Sequence, residues 1–320
     1  MENPSKSPAK YSYKISNWKE YNESLKKRGK ISLWMNARLL KIWSEIDVSK
    51  KIFGEKNYPD VVIEFCLVMS HLYHLPLRQT TGFVEDLLEN MGCIGFDVPD
   101  FSTLSRRAAS LPVKISKKLE KGKKIDVIVD STGLKLHGEG EWKVKKHGAG
   151  KHRMWLQLHM AIDASTGEIV ANLLTSNSIG DAPAAKIMLA DHKENMASCR
   201  GDGAYDKFGL REFLGDITQI IPPPKGAVLH EGTAKKPAPD YLSQRNAAVS
   251  RINETDRKTW KVEAGYHKRS LVETTMFRYK VTFGGHIRAK NTENQQTEVN
   301  IKCKILNKFA SYGMPNSQKR

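Results

Sequence analysis

Apolar positions along the chain follow two rhythms, and the change falls near residue 124. Before it they recur at helical spacing. Leu33, Trp34, Ala37, Leu40, Ile42 and Trp43 predict a short amphipathic helix. Val61, Phe65, Val68, Met69 and Leu72 predict a longer one, with Asp60 as N-cap and Pro76 as its stop. Arg78 to Asn90 predicts a third, ended by Gly92, and a fourth follows Pro99, capped by Ser102 or Thr103. That last helix carries Ser105, Arg106 and Arg107 after a turn, an arrangement suited to a helix-turn-helix element on DNA; a generic bundle with a solvated basic face fits as well.

Beyond the charged stretch 117–124 the period shortens to two. Ile125 to Val129 is a β-branched run that predicts a buried strand with Asp130 at its C-terminal tip. Acids at strand tips serve as turn formers as well as catalysts. Trp155 to Asp163 and Gly167 to Ser176 alternate about a turn and predict a hairpin. Asp181 to Ala190 predicts a helix capped by Asp181, with Pro183 in its first turn. Ala197 to Asp206 predicts a fourth strand in which Asp202 stands between Gly201 and Gly203, a spacing that lets backbone approach a metal or phosphate closely. A short helix (Phe208 to Leu214) and a fifth strand (Gln219 to Pro222) follow. From there to Glu263 the pattern breaks into proline-rich turns and a polar helix around Ser243 to Ile252, which reads as an insertion.

The stretch from Gly265 to Lys280 has no proline and predicts about four helical turns, with Leu271, Val272, Thr275, Met276 and Tyr279 facing a core. Tyr266, Arg269, Glu273 and Lys280 fall within an arc of about 60° on that helix. One face thus carries a carboxylate flanked by two cations and a phenol. Taken alone, the stretch also fits a solvated face with Arg269 and Glu273 as an ordinary i, i+4 pair.

Charge changes the picture. The chain has 320 residues, with 52 Lys+Arg against 35 Asp+Glu, a formal net charge of +17. Segments 1–51 (12 Lys+Arg, 5 Asp+Glu) and 103–124 (8 and 1) each carry +7. A basic excess of this size favours nucleic acid or an anionic membrane. Against the membrane, the apolar run from Val61 to Leu77 is interrupted by Glu64, His71, His74 and Pro76. The N-terminus lacks a secretory apolar region, and Cys66, Cys93, Cys199 and Cys303 are scattered, as expected of free thiols in the cytoplasm. The segment 135–153 holds Lys145, Lys146, Lys151 and Arg153 beside Trp142, with Trp155 just beyond, a mixture suited to a phosphate backbone with exposed bases. His71 and His74 lack a third zinc ligand nearby. Phosphate-loop and esterase-elbow motifs are absent, so nucleotide hydrolysis and esterase chemistry have no support.

The series Tyr266, Arg269, Glu273, Lys280, with Asp130 and Asp202 upstream in strand contexts, resembles the signature of DDE-type bacterial insertion-sequence transposases, most specifically the IS-five family and its IS-four relatives. The resemblance covers roughly residues 100–285 well and 1–100 more loosely. It implies an α/β, ribonuclease-H-like core with a mixed five-stranded sheet and an insertion, preceded by an all-α DNA-binding region. The expected divisions are a flexible basic arm (1–30), a helical DNA-binding domain (31–120), a catalytic domain (121–290) with its insertion at about 222–263, and a C-terminal tail (291–320) with one apolar helix around Val299 to Tyr312.

The resemblance further implies two Mg²⁺ ions, with Mn²⁺ able to substitute, held by Asp130, Asp202 and Glu273. Arg269 and Lys280 would bind phosphates beside the scissile bond and Tyr266 would help position them. Arg106 and Arg107, the basic loop and Trp260 would contact DNA. Trp260 would stack on a distorted base or simply pack the insertion onto the core. The implied partners are terminal inverted repeats, a target duplex and further copies of the chain. A transposase-derived regulator without catalysis, or a structure-specific nuclease, remains the alternative.

Overall fold

The computed structural model describes residues 13–46, 51–52, 55–56, 58–116, 124–136, 155–233, 236–237 and 239–319. The N-terminal part opens with β1 (Tyr13–Ile15) and α1 (Trp18–Arg28), so the arm expected to be flexible is ordered from residue 13. Next come α2 (Ala37–Ser44), a two-residue pairing of β2 (Lys51–Ile52) with β3 (Glu55–Lys56), α3 (Asp60–Leu72), α4 (Leu77–Asn90) and α5 (Phe101–Ala108). Among the described residues no single helix is long and apolar enough to cross a membrane, and α3 is largely buried in the core.

Caps differ in detail from expectation. Asp100, two residues before the nearer of the predicted caps, accepts from the backbone N–H of Ser102 (2.6 Å) and Thr103 (3.0 Å) at the start of α5. Asp60 lies within the first turn of α3, where an acid favours the helix dipole without capping it.

The sheet has six strands, one more than expected: β4 (Ile125–Leu136), β5 (Trp155–Asp163), β6 (Ile169–Ser176), β7 (Met196–Arg200) and β8 (Thr218–Ile220) in the order β6-β5-β4-β7-β8, and a short later strand, His286–Ile287, beside β4. The first three strands pair antiparallel, while β7 and β8 continue parallel to β4. Crossovers run through α6 (Asp181–Leu189) and α7 (Phe208–Leu214). Asp181, predicted as a cap, is the first residue of α6, behind Gly180. Alternation along the strands divides the core: Val127, Val129 and Ala161 meet α6 and α7, whereas Ile128, Leu134, Leu158 and Met160 join the cluster on the other face.

The insertion holds a small pairing of β9 (Gly232–Thr233) with β10 (Lys236–Pro237), then α8 (Ser243–Glu254) and α9 (Arg257–Glu263). After it come α10 (Ser270–Phe283), β11 (His286–Ile287), α11 (Thr292–Ser311) and β12 (Ser317–Lys319).

The polar tail expected after residue 291 is dominated by α11, a 20-residue core helix. Val299, Ile301, Ile305 and Leu306 pack with Val62, Ile63 and Met69 of α3 and with Met160 of the sheet in one cluster. Its polarity in sequence is partly internal: Lys302 and Glu298 form a buried ion pair at 2.5 Å, and the backbone N–H groups of Arg288 and Ala289 donate to Glu298. β12 returns to pair antiparallel with β1.

Candidate active site

Asp130 and Asp202 come together because of strand register. β4 and β7 run parallel with Ile128 opposite Arg200, so each aspartate lies two residues beyond that last pair, on strands about 4.8 Å apart. β4 does not end at Asp130, contrary to the strand-tip expectation. It continues to Leu136, paired with β5 throughout, and its other edge is taken up again by β11 at Lys135 and Leu136. Asp130 therefore sits in a gap in the sheet, between the end of one parallel ladder and the start of the next. Burial raises its pKa, and so do the charges of Asp202 and Glu273; the Ser131 N–H and the Arg269 guanidinium oppose the rise.

The glycines around Asp202 have a local cause. A Cβ at Gly201 would lie 2.8 Å from the ring of Tyr205, so Gly201 makes room for that side chain and not for a ligand. A Cβ at Gly203 would make only an ordinary contact with the Pro222 carbonyl. The Asp202 carboxylate accepts from the N–H of Ala204 at 2.8 Å, fixing the turn that carries it.

The third acid arrives on a helix that starts later than predicted. Gly265, in the left-handed region (φ 64°), ends the insertion, Tyr266–Arg269 form a 3₁₀ turn, and α10 begins at Ser270. Within α10 Leu271 is exposed, contrary to expectation, while Val272, Thr275, Met276 and Tyr279 are buried as expected. Arg269 links the two elements. Its Nη1 donates to Asp130 Oδ2 at 2.8 Å, and its Nη2 donates to Glu273 Oε1 in a tight pair. The side chains of Arg269 and Asp130 are 19% and 16% exposed, against 54% for Glu273, so the guanidinium is largely enclosed while the Glu273 carboxylate still faces solvent. Lys280 stands half-buried two turns along α10 from Glu273.

Tyr266 is half-buried beside this group. Its ring centroid lies 5.9 Å from the Arg269 guanidinium and 4.9 Å from the Lys261 ammonium. Burial raises the phenol pKa, with Arg269 opposing and the charge of Asp202 adding to the rise. Trp260 packs against the same ring at 6.4 Å and is only 7% exposed. This geometry is that of packing. Trp260→Ala should cost about 3–5 kcal/mol of stability in urea unfolding; a variant as stable as the parent that cleaves DNA poorly would instead speak for stacking.

Sequence reasoning passed over a buried network directly behind Asp202. The Asp206 side chain, 3% exposed, bridges Arg211 at 2.6 Å and Arg245 at 3.2 Å. Arg211 also donates to Gln219 Oε1 and the Ile221 carbonyl, both at 3.0 Å. A third signal, the Tyr205 hydroxyl, is buried without a hydrogen-bond partner, and its pKa is raised by burial and by the charges of Asp181, Asp130 and Asp202.

On the N-terminal side, Arg106 is exposed and held by Ser102 (3.1 Å) and Thr103 (3.3 Å) on its own helix. Arg107, also expected on DNA, donates to the Tyr58 carbonyl at 2.7 Å and pairs with Asp60 at 2.5 Å, the two side chains 30% and 54% exposed. Lys145, Lys146, Lys151 and Arg153 lie outside the described residues. Among the described residues no three His, Cys, Asp or Glu side chains stand, as they lie, close enough to hold a metal ion.

Two family models, each described as a transposase DDE domain, match the chain, one over residues 26–139 and the other over residues 121–308. The piggyBac transposase, solved by cryo-EM in a synaptic complex with hairpin DNA, aligns with 90% of this chain and 81% of its own at 10% identity; its TM-score of 0.29 is too low to bear on fold or site. The longer family match spans more than half of the 320 residues, and the chain belongs to the DDE-domain transposases.

Proposed function

We propose that the protein cuts and joins DNA at the terminal inverted repeats of its own insertion sequence, as an IS-five-like enzyme with a ribonuclease-H-like core acting in the bacterial cytoplasm. One observation carries this reading: Arg269 joins Asp130 to Glu273, and strand register sets Asp202, 72 residues after Asp130 and 71 before Glu273, just past the end of the strand beside Asp130. The 3-2-1-4-5 order of β4–β8, with three antiparallel strands followed by two parallel ones, supports the core assignment.

DDE transposases use divalent metal ions, and the donor set suits them. Three hard carboxylates close enough for Asp202 and Glu273 to raise the pKa of Asp130 form a site whose own charges oppose one another until a cation joins them. Asp130, Asp202 and Glu273 would hold two Mg²⁺ ions, with Mn²⁺ as substitute, which supply activation of the attacking oxygen and stabilisation of the leaving one. The chain itself supplies position. The sheet fixes the two aspartates and α10 brings the glutamate. Arg269 and Lys280 lie where they would bind phosphates next to the scissile bond, with Tyr266 bracing Arg269. Further copies of the chain would join the two ends and the target duplex.

End recognition belongs to the N-terminal helices and the basic loop. Arg106→Ala should weaken binding of inverted-repeat DNA and lower the slope of log K against log salt by about 0.9, with thermal stability unchanged. Arg107→Ala should instead lower stability by about 1 kcal/mol through loss of the Asp60 pair. Equal salt slopes for Arg106→Ala and the parent would remove Arg106 from the interface. A supercoiled donor plasmid bracketed by the element's ends tests the whole reading: excised element supports it, whereas binding without cutting, or nicking without regard to the ends, sinks it.

A further inference from the structure

We propose that Arg269 is an internal counter-ion that closes the acid site and must be drawn away, by a DNA phosphate, before Asp130 and Glu273 can share a metal ion. This rests on the reading of Asp130, Asp202 and Glu273 as the metal-holding set. The guanidinium fork reaches two carboxylates that belong to different elements and lie 139 and four residues away in sequence. Its two donor nitrogens engage one oxygen of each, Asp130 Oδ2 and Glu273 Oε1. An oxygen that accepts a charge-assisted hydrogen bond from a guanidinium cannot at the same time offer that lone pair to a divalent ion beside a second positive charge. The guanidinium therefore competes with a metal ion for these two carboxylates.

Arg269 has somewhere to go. It sits in a 3₁₀ turn at the mouth of α10, its guanidinium 5.9 Å from the Tyr266 ring, with Lys261 on the same ring and Lys268 exposed beside it. That cationic, aromatic rim suits a phosphate, which accepts an Arg fork in the same two-pronged geometry as a carboxylate. Exchange of the fork from carboxylates to phosphate would couple DNA binding to metal binding. Such coupling is reciprocal and commonly worth 5–150-fold in affinity. It would leave the enzyme weakly loaded away from DNA and loaded on it.

The test is Mn²⁺ affinity of the full-length protein without DNA, read from the electron paramagnetic resonance of free Mn²⁺, with folding confirmed by circular dichroism. Arg269→Gln should tighten Mn²⁺ binding about tenfold or more. Arg269→Lys, which keeps the charge but loses the fork, should tighten it several-fold. Lys268→Gln, which removes an exposed neighbouring charge, should change it less than about twofold. The proposal is overturned if both Arg269 variants bind Mn²⁺ no better than the parent, or if Lys268→Gln matches Arg269→Gln, since bulk charge would then suffice. Adding Asp130→Asn to Arg269→Gln separates the two readings. Loss of the gain places it at the acids. A gain that survives arises elsewhere, and both the counter-ion role and the metal-holding set fall.

Discussion

Replacing Asp206 by Asn should cost about 3–5 kcal/mol of folding stability. The carboxylate is the shared partner of Arg211 and Arg245, whose side chains are 1% and 6% exposed. Burial already lowers the pKa of Arg211, with the Asp206 charge opposing that shift. Asparagine keeps the shape and part of the hydrogen bonding but leaves two guanidinium ions buried without a counter-charge. Since a domain is commonly stable by only about 5–15 kcal/mol, poor yield or a sharply lower unfolding midpoint is expected. Arg245→Gln should cost less, because Arg211 keeps its aspartate and its bonds to Gln219 and Ile221. Urea unfolding of the three proteins decides: an Asp206→Asn variant within about 1 kcal/mol of the parent would show that the network is not what joins the insertion helix α8 to the sheet.

Glu273→Gln should fold normally, bind inverted-repeat ends as tightly as the parent and cut them at least about a thousandfold more slowly, a loss of roughly 4 kcal/mol of barrier stabilisation. Its side chain is 54% exposed, so the stability change should stay within about 0.5 kcal/mol. Asp202→Asn and Asp130→Asn should be equally inactive. For Asp130 the pH dependence has a definite sign. The folded-state pKa lies above the ordinary carboxylate value, so the folded chain holds the proton longer than the unfolded one, and this group loses stability as pH rises through that window. In metal-free buffer at pH 7, Asp130→Asn should therefore be at least as stable as the parent, which distinguishes a site residue from a structural one. Mg²⁺-dependent cutting of a labelled end, at matched occupancy, is the measurement. Near-normal cleavage by any of the three would remove that residue from the proposed site.

The strands and their acids were legible because each depends on local pattern. A β-branched run places Asp130, alternation on either side of Asp163 to Gly167 sets the hairpin, and Asp202 follows a short apolar run. What was not legible depends on which charges meet. Arg107 and Arg269 look alike in sequence as basic residues on helices, yet one pairs with Asp60 and the other spans two candidate catalytic acids. Nothing local in the sequence marks Arg211, Arg245, Glu298 and Lys302 as internal, because their partners lie on other turns or other elements, yet all four are buried. Gly201 was read as space for a ligand, because nothing in the local pattern announces that the ring of Tyr205 folds back over it. Helix phase failed at one place, the 3₁₀ turn of Tyr266–Arg269, where a 100° step per residue no longer holds.

The pairing of β1 with β12 has a consequence for how the chain is made. Tyr13 to Ile15 bond to Ser317 to Lys319, Asn17 bonds to Met314 and Asn316, and Ser24 and Arg28 bond to the carbonyl of Gly313. Helix α11 likewise supplies the apolar surface on which α3 rests. A ribosome releases the first of these partners almost 300 residues before the last. During elongation the N-terminal helices emerge with their apolar faces uncovered, and they dock only when the final stretch leaves the exit tunnel.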